Sequence, residues 1–435
     1  MSRWLKRDSS LGFATQSDYV TEAPSGYTYL LAGDDVSVDL AREVVQTQLL
    51  EGVVGANSAP LAGSKHGGKI KVKVPLRGCS IAYDPTSDAI SGKTPPEFQL
   101  LAIALGSGAA NAAFNAIYKA AADSLITNAG DNITVKYTGT ISQVDGAFFC
   151  SAASDHAVPP VYSNLVTGWV QAKDTVSSPH EIDLFEGAAN VATVGDDVFP
   201  TSTIALSTVQ PTPITIKYVG SDAAFAYVLV GCVCDSAVLT LSAKAVPTLE
   251  LGYTFTSHRR DTSMGGMHVP ASFTRVQPSI GLKGARLTLG GNVKPGVADL
   301  KIDYSAALAY VDSHTAVQGV AECIVTSRTV KVTCSIPLDS SDTITAGSSP
   351  YETALENGTT IGGLCLTTGT KPGQILSILV PALRVTAQPK LADKGGFIVE
   401  QLEFEAAAYT SDEPNTTAGV QDAAPADSVL RIGLA

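Results

Sequence analysis

Short segments in which apolar and polar residues alternate recur along most of the chain, separated by Gly, Pro, Asp and Ser. In one of them, Ile70, Val72 and Val74 alternate with two lysines and a proline. Because successive side chains of a β-strand point to opposite faces, a period of two indicates strands with one buried and one exposed face. The sequence therefore predicts a mainly β protein. The same rhythm recurs in residues 36–40, 249–255, 300–304 and 330–336.

Composition agrees with this prediction and excludes several classes of protein. The 435 residues are 45% apolar, enough for the cores of two or three domains, and the low charged fraction of 16% favours strands and turns over long helices. The net charge of −12 argues against a protein that grips nucleic acid by neutralising phosphates. The longest apolar run, residues 223–234, is too short to span a bilayer, so it predicts a buried strand and no membrane anchor.

Two further features concern where the chain folds. Its N-terminus has basic residues but no apolar stretch behind them, which argues against a secretory signal. Seven cysteines, an odd number scattered through apolar segments, predict buried free thiols and no disulfide framework.

No motif predicts a catalytic, cofactor or metal site. Residues 63–70 approach a phosphate-binding loop, but Ile70 stands where the motif needs Ser or Thr, and a strand pattern follows where it needs a helix. The six histidines are far apart in sequence, and no G-x-S-x-G elbow is present. Residues 258–268 (HRRDTSMGGMH) hold the densest cluster of functional side chains. That segment is an anion or substrate site, a linker, or a contact between subunits.

Two helices are predicted around proline-led starts. Thr94 is an N-cap candidate, with prolines in the first turn and Glu97 completing a capping box, and Gly106 or Gly108 would end this helix. A second alanine-rich helical stretch is expected over 109–123. Residues 350–358 (PYETALENG) predict a shorter helix that closes at Gly358.

The order of these parts is similar in two halves of the chain. A strand segment precedes each helix, and a strand pair follows each. This order suggests an internal duplication of one β fold. The predicted organisation is an N-terminal arm (1–27), a first half (28–262) with an inserted β-rich segment at about 130–225, a second half (263–410) and a C-terminal tail (411–435). The last residues of the tail are expected to form a strand that adds to another subunit's sheet.

Four passages together resemble the tail tube proteins, or major tail proteins, of long-tailed bacteriophages. The resemblance lies in their order and spacing along most of the chain. The segment 130–225 is a departure from it. The passages are DDVSVDLAREVVQTQLLEGVVGANSAPLAGSKHGGKIKVKVPLRG, PPEFQLLAIALGSG, GCVCDSAVLTLSAKAVPTLELGYTF and VPALRVTAQPKLADKGGFIVEQLEFEAAAY.

The resemblance implies a tail-tube-type β-sandwich with a flanking helix, whose long hairpins join those of neighbouring subunits into a closed β-barrel channel. Rings stack into a tube in the virion tail, assembled in the host cytoplasm. A duplicated fold implies trimeric rings with pseudo-sixfold symmetry, with hexameric rings as the alternative. The implied partners are the tape measure protein, the tail terminator and baseplate or tip proteins, while DNA passes through the channel without specific binding.

Two groups of residues are candidates for roles in such a tube. An acidic or neutral channel wall would keep DNA from binding to it, which makes acidic residues near the first strands candidates for the lumen. A loop of nearly twenty residues rich in Gly, Ala and Ser is a candidate contact with the next ring. The candidate lumen residues are Asp34, Asp35, Asp39 and Glu43. The candidate inter-ring residues are Leu50, Gly52, Gly55, Gly63, Lys65, His66 and Gly68.

Two other classes of function remain open at the level of sequence. One is a β-sandwich binding or decoration module, similar to an adhesin, on a virion or cell surface. Against it, only 6% of residues are aromatic and no Asp-rich calcium loop is present. The other is a hydrolase whose catalytic groups come together only in the fold.

Overall fold

The computed structural model has 29 strands and two helices in the part of the chain that it describes. The helices are α1 (Pro96–Ala104) and α2 (Pro350–Asn357). This content confirms the prediction of a mainly β protein. The described residues are 10–31, 36–40, 44–46, 60–62, 68–84, 89–106, 117–118, 121–129, 132–138, 147–154, 162–174, 180–189, 197–199, 201–207, 209–219, 226–242, 245–261, 280, 284–290, 292–294, 296, 299–313, 319–337, 349–394, 396–407 and 428–435.

The strands fall on either side of residue 200. Those before it are β1 (Ser10–Thr15), β2 (Thr28–Leu31), β3 (Val36–Asp39), β4 (Val44–Gln46), β5 (Pro60–Ala62), β6 (Gly68–Pro75), β7 (Ser80–Asp84), β8 (Ala89–Lys93), β9 (Ile117–Tyr118), β10 (Ala121–Ala129), β11 (Asn132–Thr138), β12 (Phe148–Ser154), β13 (Tyr162–Asp174), β14 (His180–Ala189) and β15 (Asp197–Val198). Those after it are β16 (Ser202–Ala205), β17 (Ile214–Val219), β18 (Ala226–Ser242), β19 (Thr248–Phe255), β20 (Ser257–Asp261), β21 (Arg286–Leu289), β22 (Asn292–Lys294), β23 (Asp299–Asp312), β24 (Val320–Pro337), β25 (Thr360–Thr368), β26 (Leu376–Val385), β27 (Lys390–Lys394), β28 (Phe397–Ala406) and β29 (Arg431–Leu434).

Strand β18 organises the main sheet because its two ends have different neighbours. Its N-terminal part lies between β17 and β20. Its C-terminal part lies between β19 and β23. The change falls at Gly231, whose φ of 64° is in the left-handed region. This apolar strand had been predicted from residues 223–234, and its described part, from residue 226 to Cys234, is buried at all but one position.

From β18 the main sheet extends in both directions by antiparallel pairs. On one side β19 pairs with β6, and β6 pairs with β3. On the other side β23 pairs with β24, and β24 pairs with β28. The far side of β28 pairs with β27 and with the end of β26. Strand β26 in turn pairs with β25 and β29.

The same order of pairs occurs twice in this sheet. In the first instance it is β6, β19, β18 and β17, with α1 following β6 in sequence. In the second it is β24, β28, β26 and β25, with α2 following β24. A hairpin precedes each helix, made by β3 and β6 in one case and by β23 and β24 in the other.

One large hydrophobic core contains the inward side chains of most of these strands and of both helices. The alternating residues of the one-sided strands lie in it as predicted, including Val72, Leu251 and Val332. Helix α1 is buried on nearly all sides, and the hydroxyl of Tyr253 donates to the carbonyl of Leu100 at 3.1 Å. The core therefore ties α1 to the middle of the sheet.

Helix α1 starts differently from the prediction. Pro95 is the N-cap residue, and no side chain caps the helix, so the predicted capping box at Thr94 is wrong. Glu97 is buried and instead accepts hydrogen bonds from Nε and Nη2 of Arg77, at 2.7 and 2.8 Å. A buried carboxylate requires a charged partner, and the guanidinium is a stronger one than a backbone N–H. The predicted end at Gly106, with φ of 75°, is confirmed.

The second alanine-rich helix is wrong where the structure describes it. Residues 117–118 form β9, and residues 121–123 belong to β10, which pairs with β11 along its length. Alanine favours helices only weakly, and strand pairing overrides that preference. By contrast, α2 is confirmed, with Ser349 and Glu352 forming its capping box and Gly358 ending it at φ 64°.

The inserted segment forms a separate six-stranded sheet in the order β10, β11, β14, β13, β12, β15. It spans 121–198, whereas the prediction extended to about 225. Strands β16 and β17 belong to the main sheet. A small core around Phe148 and Trp169, whose ring centroids lie 5.3 Å apart, joins this sheet to Leu379 of β26.

The C-terminal strand was predicted to add to another subunit, and that prediction is wrong. Strand β29 lies between β16 and β26 of the same chain, and Leu434 is fully buried. Its apolar residues pack into the core against residues that are distant in sequence. The position of the strand at the end of the chain could not indicate these contacts.

Candidate assembly surface

The outward side of the main sheet carries charges of both signs. We call it the polar face: the side chains of β3, β6, β19, β18, β23, β24, β28 and the end of β26 that point away from the core. Its charged members are six basic and seven acidic residues, so the described charges on it nearly cancel. They are Lys69, Lys71, Lys73, Lys301, Lys331 and Arg384, with Asp39, Asp235, Glu250, Asp299, Asp303, Glu403 and Glu405.

These charges lie opposite one another across neighbouring strands. Lys73 is paired in register with Glu250. Further along the same row, Lys331 lies between Asp303 and Glu405. Opposite charges at directly paired positions stabilise a sheet by about 0.2–1 kcal/mol each. At these described positions each basic group has an acidic one beside it, which weakens its attraction for a polyanion.

A partly buried cluster around Asp235 anchors one end of the polar face. Asp235 accepts from Nζ of Lys69 at 2.8 Å and from the hydroxyls of Ser236 and Thr254 at 2.9 Å. Burial alone would raise the pKa of Asp235, but these hydrogen bonds and the lysine charge outweigh it and hold the pKa below its usual value. The carboxylate therefore stays ionised and fixes the bend of β18 against β6 and β19.

The hairpin of β23 and β24 continues past the part of β23 that pairs with β18. Strand β18 covers β23 only from residue 299 to 305, so residues 306–312 pair with β24 alone among the described strands. At about 3.4 Å per residue this extension is about 24 Å long. Leu308 and Tyr310 of the extension pack beside Val233 and Tyr19, and an open groove of about 430 Å³ lies between the hairpin and Lys71.

The hairpin of the first half continues in a similar way. Beyond the β3–β6 pair, β4 pairs with β5, so the two arms run antiparallel again at residues 44–46 and 60–62. The predicted inter-ring residues Leu50, Gly52, Gly55, Gly63, Lys65 and His66 lie outside the described residues. Gly68 is not in the loop: it is the first residue of β6, buried, and a Cβ there would lie within 3.0 Å of the Phe255 ring.

Within the described residues, six strands of this sheet pair with one strand only: β2, β3, β16, β20, β22 and β27. Of these, β3 and β27 are the two ends of the run of strands that holds the polar face, because β3 pairs only with β6 and β27 pairs only with β28. Leu391 in β27 is 67% exposed and the neighbouring Ile398 is 57% exposed. Bare edges with exposed apolar side chains are sites where further strands add.

The structure places one of the predicted lumen residues. Asp39 is exposed on the polar face, directly opposite Lys69 in β6. Asp34, Asp35 and Glu43 lie outside the described residues. Sequence reasoning missed Lys390 and Leu391 of β27. The alternation in PKLADK was a signal for a strand, but nothing in it indicates an unpaired edge.

The described residues show little that resembles a catalytic or metal site. No group of three or more His, Cys, Asp or Glu side chains among them is placed to hold a metal ion. All seven cysteines are free and buried, as predicted, and burial raises the pKa of Cys323 to about 11 and of Cys334 to about 12. Neither described helix is long and apolar enough to span a membrane.

The arginines of residues 258–268 have partners within the chain. Arg259 donates to Glu22 and to Asp261, both at 2.7 Å, and the guanidinium of Arg260 lies 5.5 Å from the Tyr227 ring centre. In these contacts the positive charges that an anion site would need interact with groups of the chain itself. Residues 257–261 form β20, a strand of the main sheet. No protein-family model matches the chain, and no curated protein matches it either.

Proposed function

We propose that copies of this protein join edge to edge into a ring, and that the rings stack into the tail tube of a long-tailed bacteriophage. One observation carries the proposal: the sheet that holds the polar face has a bare edge at β3 and another at β27. Two different edges on one molecule make a heterologous contact, which closes into a ring when the rotation allows. Closure removes both edges.

The repeated order of strands supports a duplicated tube fold. Each repeat contributes a hairpin, a helix and the strands that pair with them. A ring of such chains has twice as many fold units as copies. Three copies would give a ring of six units with pseudo-sixfold symmetry, which the resemblance to tail tube proteins implies for a duplicated fold, and hexameric rings of the whole chain are the alternative.

The number of strands supports a wide channel. Each copy contributes eight strands to the continuous run from β3 to β27, with β26 and β27 counted as one, so three copies would contribute 24. Barrels of about 16 to 18 strands already enclose an aqueous channel. With strands about 4.8 Å apart and tilted by about 40°, 24 strands give a diameter of about 50 Å between opposite backbones.

The charges of the polar face fit a wall along which DNA passes. The core occupies the other side of this sheet, so the polar face would line the channel. Its basic and acidic residues nearly balance, and Lys73, Lys331 and Arg384 each lie directly opposite an acidic residue. Such a wall has no continuous positive field to hold phosphates, which agrees with passage without specific binding.

The hairpins that extend past the sheet are suited to contacts between rings. The tape measure protein, the tail terminator and baseplate or tip proteins would complete the tail, and the site of action would be the virion after assembly in the host cytoplasm. These partners rest on the resemblance to tail tube proteins.

Sedimentation velocity and negative-stain electron microscopy of the purified chain over a range of concentrations test this function. Rings, or tubes with an open channel, are expected as the concentration rises. A chain that stays monomeric at every concentration would overturn the proposal and leave a binding or decoration module as the better interpretation.

A further inference from the structure

The two halves of the chain can be superimposed residue by residue through their pairing. Val36 lies opposite Val72 in the first hairpin, and Leu300 lies opposite Cys334 in the second. The sequences agree with this match: VSVDL at 36–40 corresponds to LKIDY at 300–304, and VKVPL at 72–76 corresponds to CSIPL at 334–338. Strand β3 is therefore the counterpart of β23, and Asp39 is the counterpart of Asp303.

The same comparison identifies the counterpart of the C-terminal part of β18. Thr248 lies opposite Pro75, and Val399 lies opposite Pro337, so β19 corresponds to β28. One strand further, Leu239 lies opposite Leu249, and Leu391 lies opposite Glu400. Leu391 is thus the counterpart of Leu239, and Lys390 is the counterpart of Val238.

The two counterparts differ in what covers them. Leu239 is 3% exposed because β23 pairs alongside it, with Ile302 directly opposite. Leu391 is 67% exposed, and no described strand lies on that side of β27. Within one chain, therefore, the strand that holds Leu239 has β23 as its neighbour on this side, whereas its counterpart β27 has no described strand at the equivalent place. The missing strand is the counterpart of β23, which is β3, and the chain's own β3 lies at the opposite end of the sheet.

We propose that β27 of one copy pairs antiparallel with β3 of the next copy, with Lys390 opposite Asp39 and Leu391 opposite Val38. The register is that of β18 with β23, in which Val238 lies opposite Asp303 and Leu239 opposite Ile302. This inference rests on the proposed ring assembly and names the contact that closes it.

The residues brought together by this register are complementary. Leu391 meets Val38, a half-buried residue packed against the core, so both apolar side chains become covered. Lys390 meets Asp39 on the polar face, so Asp39 would lie between Lys390 of the neighbouring copy and Lys69 of its own chain. A shift of the register by one residue would place Leu391 opposite Asp39, whose side chain points to the other face, so the two sheets could not continue with their cores on one side.

Disulfide trapping between two single-cysteine variants tests the register. Lys390→Cys and Asp39→Cys proteins are mixed, assembled and oxidised, so that a 390–39 disulfide can form only between copies. The native thiols are buried and do not compete. The matched control replaces Lys390→Cys with Ala392→Cys, whose Cα lies two residues out of register and too far for a disulfide. The expected result is a covalent dimer from the first mixture and much less from the second.

Charge reversal provides an independent measurement on the same pair. Lys390→Glu should raise the concentration for half-assembly about tenfold, because it sets two acidic residues side by side. Adding Asp39→Asn should recover part of the assembly, because it removes the repulsion without placing a second lysine opposite Lys69, and circular dichroism of each monomer checks that the fold is intact. Rings without a 390–39 disulfide, or a double variant that assembles no better than Lys390→Glu alone, would overturn this register while the ring function stands. Absence of any wild-type oligomer would overturn both.

Discussion

Gly231 is the residue at which β18 changes its neighbours, and replacing it by alanine should weaken the fold strongly. Its φ of 64° costs an L-residue about 1–2 kcal/mol. A Cβ there would also lie within 3.0 Å of Oγ1 of Thr256 and of the carbonyl oxygen of Tyr19. The Thr256 hydroxyl already donates to that carbonyl at 2.7 Å, so neither atom is free to move away.

The expected loss combines these two contributions. Overpacking in a well-packed site costs typically about 1–3 kcal/mol, so Gly231→Ala should lower the free energy of unfolding by about 2–5 kcal/mol in all. Gly290 is the matched control, since its φ is 60° and nothing lies within 4 Å of a Cβ placed there. Gly290→Ala should therefore cost only the backbone part, about 1–2 kcal/mol. The effect of alanine on the unfolded chain is the same in both variants.

Urea unfolding followed by tryptophan fluorescence, at concentrations where the chain is monomeric, measures the difference. Gly231→Ala should unfold at a clearly lower urea concentration than Gly290→Ala. Equal midpoints would show that the crowding around Thr256 is relieved without cost, and the account of how β18 is held at its bend would then be refuted.

Three further changes have defined outcomes. Glu97→Gln removes the charge that faces Arg77 and should lower the free energy of unfolding by about 3 kcal/mol, measured in urea. Asp235 has a lowered pKa, so its ion pair stabilises the protein above its ordinary pKa of 3.8, and this contribution is lost as the pH falls through the folded-state value. Asp235→Asn should therefore flatten the acid end of the stability curve. Finally, an aromatic disulfide reagent should find no reactive thiol in the native protein and seven after unfolding.

Each of these predictions can fail in a defined way. Glu352→Gln, at the partly buried start of α2, is the control for Glu97→Gln, because glutamine can still accept from the Ser349 backbone N–H; equal losses would mean that the buried ion pair contributes nothing beyond an ordinary hydrogen bond. An unchanged acid dependence in Asp235→Asn would remove Lys69 and its neighbours as the cause. A thiol that reacts in the folded state would contradict the burial of that cysteine.

Features that depend on a few neighbouring residues could be predicted from the sequence. The alternation at Ile70, Val72 and Val74 indicated a one-sided strand, because the period of side chains is a local property. The helix at 350–357 followed from its proline and its glycine. The burial of the cysteines followed from the apolar segments around them.

Features that depend on partners distant in sequence could not be predicted. Glu97 looked like a capping residue because only its own helix was visible, whereas its partner Arg77 lies twenty residues away. The C-terminal strand looked available to a neighbour, yet β16 and β26 cover it on both sides. The exposed edge at Leu391 had no signal in sequence, because an edge is defined by the strand that is absent.

The sequence by itself determined that the protein is built of strands, which face of each strand is buried, and where the proline-led helices lie. The tertiary structure decided which strands are neighbours, which carboxylates are buried, and which strand edges remain bare. The reason is that side-chain alternation encodes only the two faces of a strand. Its backbone N–H and C=O groups are the same at every residue but proline and can pair with any other strand, so the choice of neighbour is made by the packing of the whole chain.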